Sequence, residues 1–206
     1  MHVAIAKLES TSPYSQSKHY DEMEVPMLPK ELKGAYEERT WRHRMHTCDA
    51  DRSLEFEERR IEIPGLCFAN SLKEAAKRLK LKVQGKGRVE WTKYFEAGVM
   101  CIDSITLPIK VKDVQGQRLF VPSDGKRGGG SRVTKIFPLI SEWEGEMRYQ
   151  VFDDMITADV FKQFLTASGI LVGIGRFRPE RSGFYGRFIV NAFKWEERSI
   201  EDMAAQ

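Results

Sequence analysis

The sequence has only three cysteines, Cys48, Cys67 and Cys101, an odd number set far apart. That excludes a disulfide framework and fits a reducing compartment, so a cytoplasmic protein is expected. No apolar run approaches the roughly 18 residues that a membrane span needs, and no membrane partner is expected. The first residues, Met1 to Glu9, carry no basic region and only a short apolar run, so no export signal is expected. Charge of one sign is also missing. The 33 Lys and Arg against 30 Asp and Glu leave a formal charge of +3, so any basic surface must come from segregation of charge, not from excess. Metal-binding residues are sparse. His43, His46 and Cys48 lie near one another in the chain, but loosely spaced and without a second cysteine pair, so neither a metal nor another cofactor is expected. Catalytic sets are equally scarce. No serine–histidine–acid or cysteine–histidine group has a recognisable local signature. Asp153 and Asp154 are adjacent, and on a strand they would point to opposite faces. No catalytic residue is assigned, and a binding protein is favoured over an enzyme.

The charges that are present are segregated. Acids gather at Asp21, Glu22 and Glu24, at Glu55, Glu57 and Glu58, and again in a tail, 196–206, with Glu196, Glu197, Glu201 and Asp202. Basic residues gather elsewhere, above all between Val172 and Phe188. There Gly173, Gly175, Gly183 and Gly186 alternate with Arg176, Arg178, Arg181 and Arg187, and Phe177, Phe184 and Tyr185 lie between them. Glycine lets a backbone turn and approach a ligand closely. Arginine offers a flat, permanently charged fork for phosphate oxygens. Aromatic rings give faces on which unpaired bases stack. The plainer alternative is a glycine-rich hairpin with solvated arginines.

A second basic stretch, Val121 to Val133, holds three successive glycines with Lys126, Arg127 and Arg132. It reads either as a surface loop or as a finger that orders on a nucleic-acid strand. It lacks the Gly-Lys-Ser/Thr ending of a triphosphate loop. Gly173-Ile-Gly175 likewise fails as a dinucleotide fingerprint, because Arg178 stands where the third glycine belongs. A third basic group, Arg42, His43 and Arg44, ends a possible helix over 31–45 and reads as exposed basic residues or a phosphate-contacting surface.

The periodicities give a coarse order of elements. Val3 to Leu8 reads as a strand with Val3 and Ile5 on one face. A short strand ends at Pro64-Gly65, and a helix begins near Ser71, where Ser71-x-x-Glu74 fits a capping box. Leu72, Ala75, Ala76 and Leu79 form its apolar face, and Lys73, Lys77, Arg78 and Lys80 lie elsewhere on it. Ile109 to Val114 and Met147 to Phe152 read as strands. Thr157 caps a helix with Val160, Phe161, Phe164 and Leu165 inward, stopped by Gly169. Ile170 to Phe177 and Gly186 to Trp195 read as strands flanking the glycine stretch. This order suits an α+β fold, ferredoxin-like or RRM-like, with helices on one face of an antiparallel sheet. One domain is expected over 1–195, with insertions at about 21–60 and 115–135. Such sheets leave one face free, which nucleic-acid-binding members use.

Several of these residues carry a resemblance. Ile63-Pro-Gly65, followed by Ser71-Leu-Lys73 and an alanine-rich helix, resembles the Ile-Pro-Gly-Ser-Ser-Leu-Lys-Gly signature of the RAMP superfamily, the RRM-like RNA-binding proteins of CRISPR effector complexes. The late glycine-arginine stretch is similar to that superfamily's C-terminal glycine-rich loop, and Ser12-Pro13 to its Ser-Pro-Leu opening. Phe68, Ala69 and Asn70 lengthen the signature here, and Glu74 replaces its final glycine. The resemblance implies a backbone subunit that binds single-stranded guide RNA, stacks on copies of itself and meets other effector subunits and target DNA or RNA. It implies RNA contact through Lys73, with Lys77 or Arg78, and a finger at 125–132. It also raises two alternatives: an RNA-cleaving relative using Asp49 or Asp51, and a mobile-element protein that occupies such a complex.

Overall fold

A computed structural model describes residues 1–20, 23–101, 103–123 and 130–198. The elements are, in chain order, β1 (His2–Ser10), β2 (Tyr14–Ser15), α1 (Lys33–Thr40), β3 (Arg60–Ile63), α2 (Gly65–Leu79), α3 (Thr92–Gly98), β4 (Val99–Met100), β5 (Ile105–Lys110), β6 (Gln115–Pro122), β7 (Arg132–Ile140), β8 (Glu144–Val151), α4 (Ala158–Ala167) and β9 (Phe188–Glu197). Six of them, β1, α2, β4, β8, α4 and β9, follow a β-α-β-β-α-β order. Their strands form a sheet in the order β4-β8-β1-β9, antiparallel throughout. This is the ferredoxin-like arrangement, with helices on one face. The segments between these elements build a second sheet, β2-β7-β6, and the β3-β5 pair.

Strand alternation decides which face is buried. Ala4 and Ala6 of β1 stand opposite Tyr149 and Met147 of β8 and opposite Trp195 and Phe193 of β9. The short alanines leave room for rings. Phe161 of α4 lies 5.2 Å from Tyr149, 5.8 Å from Trp195 and 6.1 Å from Phe193, centroid to centroid. Val3 and Ile5 do share a face, but it is the one without helices. Their partners there are Gln150, Arg148, Glu196 and Lys194. None of these is aromatic, so this stretch of the open face offers no ring for base stacking.

Helix α2 begins six residues before the expected Ser71. Pro64 is extended at the N-cap, which suits proline's fixed φ and its lack of an N–H. Phe68, Leu72, Ala75, Ala76 and Leu79 then continue one apolar stripe at helical spacing. Ser71 and Glu74 therefore lie inside the helix. The Ser71 hydroxyl donates to the Ser168 carbonyl at 3.3 Å, and Glu74 pairs with Arg78 instead of capping.

The α4 end departs from expectation too. Thr157 accepts from the Val160 N–H at 3.4 Å, and Phe161, Phe164 and Leu165 are buried as read. The chain does not stop at Gly169 and turn into a strand. It widens into a π-helical turn, Ser168–Val172, closed by the Gly173 N–H on the Ser168 carbonyl at 2.8 Å. Three apolar residues, Ile170, Leu171 and Val172, followed by Gly173 fit one helical turn as well as a strand, which is why periodicity misread them. The expected helix over 31–45 is likewise shorter: α1 and then a 3₁₀ turn, Trp41–Arg44. The expected strand over 109–114 ends at Lys110 and gives way to a 3₁₀ turn, Val111–Asp113.

Helix α1 has little apolar surface and is held by polar contacts. Glu37 accepts from both terminal nitrogens of Arg44, at 2.6 and 2.9 Å, and from the Ile136 N–H of β7 at 2.6 Å. Arg44 also donates to the Ile136 carbonyl at 2.8 Å. Both side chains are nearly excluded from solvent.

Candidate nucleic-acid interface

A cleft of about 350 Å³ opens between α2 and the glycine-arginine stretch. From the helix side come Lys73, Glu74 and Lys77. From the other side come Gly173, Gly175, Arg178, Glu180 and Arg181. The amphipathic α2 sets its lysines there, because the stripe through Phe68 and Leu72 turns inward.

The opposite wall is shaped by the loop that follows β1. The Arg176 N–H donates to the Ser15 carbonyl at 2.8 Å, the Gly186 N–H to the Pro13 carbonyl at 2.7 Å, and the Ile174 N–H to the Gly186 carbonyl at 2.9 Å. Ser12 adds its hydroxyl, which accepts from the Arg187 N–H at 2.9 Å. The two segments are thus laced together by backbone bonds. Gly175, at φ +71°, lies against Ser15 and the Tyr14 ring, and Gly186, at φ +73°, lies against the Ile174 carbonyl. A side chain at either would be strained in φ and would overlap backbone. Gly186→Ala is expected to lower stability by roughly 1–3 kcal/mol. Thermal melting checks this, and an unchanged melting temperature would show that the lacing is slack.

The charges in the cleft are unevenly paired. Glu180 is held by Arg178 at 2.5 Å and Arg181 at 3.2 Å, and its side chain is nearly buried. Glu74 meets Arg78 at 3.4 Å, and Lys77 meets Glu96 at 2.9 Å. Lys73 has no ion-pair partner among the described residues. Arg78 also donates to the Glu180 carbonyl at 3.0 Å, which ties α2 to the turn Pro179–Arg181. The cations therefore outnumber the carboxylates, and both carboxylates in the wall are already engaged.

Of the residues singled out in the sequence, Lys73, Lys77, Arg178 and Arg181 line this cleft, and Arg78 borders it. Arg178 also holds the loop, donating to Gly175 O at 3.0 Å. Phe177, at φ +51°, is partly exposed and sits edge-on to Tyr185 at 6.1 Å. The Tyr185 hydroxyl accepts from Gln117 of β6 at 2.8 Å. Arg187 donates to the Ile170 carbonyl at 3.3 Å and lies over the exposed Phe184 ring. Arg176 turns to another side and stacks on Phe137 of β7, 3.2 Å from the ring centroid. Arg132 stands on the β6–β7 hairpin beside Phe120. Lys126 and Arg127 lie outside the described residues.

The third basic group belongs to the second sheet and does not line the cleft. Arg42 stacks on Trp41 at 4.5 Å, His43 stacks on Phe56 at 4.4 Å, and Arg44 is committed to Glu37. Burial pulls the pKa values of His43 and His46 down, so both favour the neutral form. Among the described residues no group of three or more His, Cys, Asp or Glu could hold a metal ion. Asp51 accepts from the Arg60 N–H, Nε and Nη2, each at 2.9 Å, and these bonds hold its pKa at about 2. Its carboxylate thus braces the turn before β3. Asp49 is exposed and pairs with Arg52 at 2.9 Å.

Three supporting residues were not foreseen: Glu37, Phe137 and Glu180. Glu180 had a local signal, since it stands between Arg178 and Arg181. The other two meet their arginines only through tertiary folding.

No family model matches the chain, and no curated protein matches it. Solved structures similar to it include the following two. One is a chain of the type III-B Cmr-beta complex bound to cognate target RNA, seen by cryo-electron microscopy, with a TM-score of 0.46 and 8% identity over 95% of this chain. The other is a chain of a CRISPR RNA-guided surveillance complex, with a TM-score of 0.38 and 10% identity over 97% of this chain. The present chain spans 61% of the first and 72% of the second. Among the described residues no helix is long and apolar enough to cross a membrane.

Proposed function

We propose that this chain binds single-stranded RNA along its phosphate backbone, as a RAMP-type subunit of a CRISPR effector complex. The observation that carries the reading is the cleft that joins the lysines of α2 to the glycine-arginine stretch, two parts of the chain about a hundred residues apart in sequence. Lys73, Lys77, Arg78 and Arg181 offer charged donors to phosphates, and Arg178 keeps the loop in shape. Phe177 and Phe184 present partly exposed rings on which bases can stack. The resemblance of Ile63-Pro-Gly65 and Ser71-Leu-Lys73 to the RAMP signature supports the same assignment. In its finer form the bound strand is a guide RNA, copies of this chain align along it with other subunits, and the basic loop at 125–132 acts as a finger. Cleavage at Asp51 is not proposed, because its carboxylate is engaged by Arg60.

The test is direct. The protein is purified from its host, its absorbance ratio at 260 and 280 nm is read, and any copurifying strand is sequenced. A labelled single-stranded RNA is then titrated at several salt concentrations. Three or four phosphate contacts predict that log K falls against log salt with a slope of about −2 to −3. No binding at low salt, or a flat salt dependence, would overturn the reading.

A further inference from the structure

A second basic pocket lies apart from the cleft and shares no lining residue with it. It has a volume of about 340 Å³ and is bounded by the 17–20 segment, Arg44 and Lys135. Three features set it apart from an ordinary surface hollow.

The first is the state of Arg44. Its Nη1 hydrogens go to Glu37 and to Ile136 O, and one Nη2 hydrogen goes to Glu37. Its Nε–H and second Nη2–H make no hydrogen bond among the described residues. Those two lie on one edge of the guanidinium and form a second fork, spaced for two oxygens of one anion. The second feature is Arg176. It shares the Phe137 ring with Arg44, at 3.2 Å against 5.4 Å. It has no carboxylate partner, and its buried Nη1 has no hydrogen-bond partner among the described residues. Burial and the neighbouring charge of Arg44 pull its pKa down to about 10. A buried donor left unmade is costly, more so when charged. The third is the rim. Lys18 and Lys135 have no ion-pair partner among the described residues, and Lys18 helps to hold the His46 pKa down. Among the described residues, Glu37 is spent on Arg44, Glu57 pairs with Arg42 at 3.7 Å, and Glu24 lies near His43.

We propose that this pocket binds one phosphate group, held by the open edge of Arg44 and by Lys18 and Lys135, with Arg176 supplying positive charge from behind Phe137. The site stands independently of the RNA reading of the cleft. Its phosphate could come from a nucleic-acid backbone or from a small phosphate ion, and the experiment separates the two.

The probes are inorganic phosphate and a short single-stranded RNA, and the readout is the Nε–Hε resonance of Arg44 in ¹H–¹⁵N spectra of the full chain. Inorganic phosphate should shift that resonance saturably, beyond any effect of chloride at equal ionic strength. The double variant Lys18→Ala, Lys135→Ala, at one exposed and one half-buried position, should weaken phosphate about tenfold or more, by loss of charge-assisted bonds. Lys73→Ala, in the cleft, should leave phosphate binding here unchanged. If the RNA moves the same resonance, and the double variant flattens the RNA salt slope by about 0.7 or more, the source is the RNA backbone. If only inorganic phosphate moves it, the source is the small ion. The proposal is overturned if phosphate shifts Arg44 no more than chloride does, or if the double variant binds phosphate as tightly as the parent.

Discussion

Replacing Lys73 and Arg181 together by glutamate is expected to weaken single-stranded RNA binding by about two hundredfold or more at 0.1 M salt, a loss of about 3 kcal/mol or more. Two charge-assisted contacts disappear, each worth about 1.5–3 kcal/mol, and two carboxylates take their place. The salt slope should flatten by about 1.4, for two phosphates at roughly 0.7 each. These two positions are chosen because the fold can spare them. Lys73 has no ion-pair partner among the described residues, and Glu180 keeps Arg178 when Arg181 is lost. Arg176 and Arg178 would be poor choices, since the first packs on Phe137 and the second holds the Gly175 carbonyl. Fluorescence anisotropy measures the affinity, and circular dichroism verifies the fold. A well-folded double variant that binds like the parent would remove the cleft from consideration.

Glu37→Ala should have the largest effect on stability, a loss of about 3–5 kcal/mol. It leaves Arg44 buried without its counter-charge, next to Arg176, and strands the Ile136 N–H. A domain of ordinary stability holds only about 5–15 kcal/mol in all. The urea midpoint should therefore fall by about a fifth or more. Replacing both partners by apolar residues, Glu37→Leu with Arg44→Met, should recover much of the loss, because breaking a buried pair costs more than removing it. A single variant as stable as the parent would mean that α1 is held by something other than this clamp.

The core was legible in the sequence for a simple reason. Strands of period two and helices of period 3.6 carried most of the apolar residues of β1, β8, α2 and α4, and their order allowed few folds. The start of α2 was not legible, because Ser71 and Glu74 have the spacing of a cap and also that of two neighbours on a helix face. The run from Ile170 failed because three apolar residues and a glycine do not distinguish a strand from a tight turn. Within the site, the lysines of α2 were readable as the polar side of an amphipathic helix. The arginines were harder. Arg181 faces solvent, whereas Arg44 is largely buried and Arg176 is half-buried, both against the Phe137 ring of β7, and no local pattern tells these apart. What separates them is the partner, and Ile136 and Phe137 lie far along the chain from Arg44.

The sheet order has a consequence for how the chain is made. β1 pairs only with β8 and β9, so its hydrogen-bonding edges stay vacant from the synthesis of Ser10 until Glu144 and later residues emerge. At ordinary elongation rates that interval is about 7–27 s. For that time an apolar ribbon containing Val3, Ala4, Ile5 and Leu8 has no native neighbour. Slow codons placed before β8 are therefore expected to lower the yield of folded chain, as expression with and without them would measure.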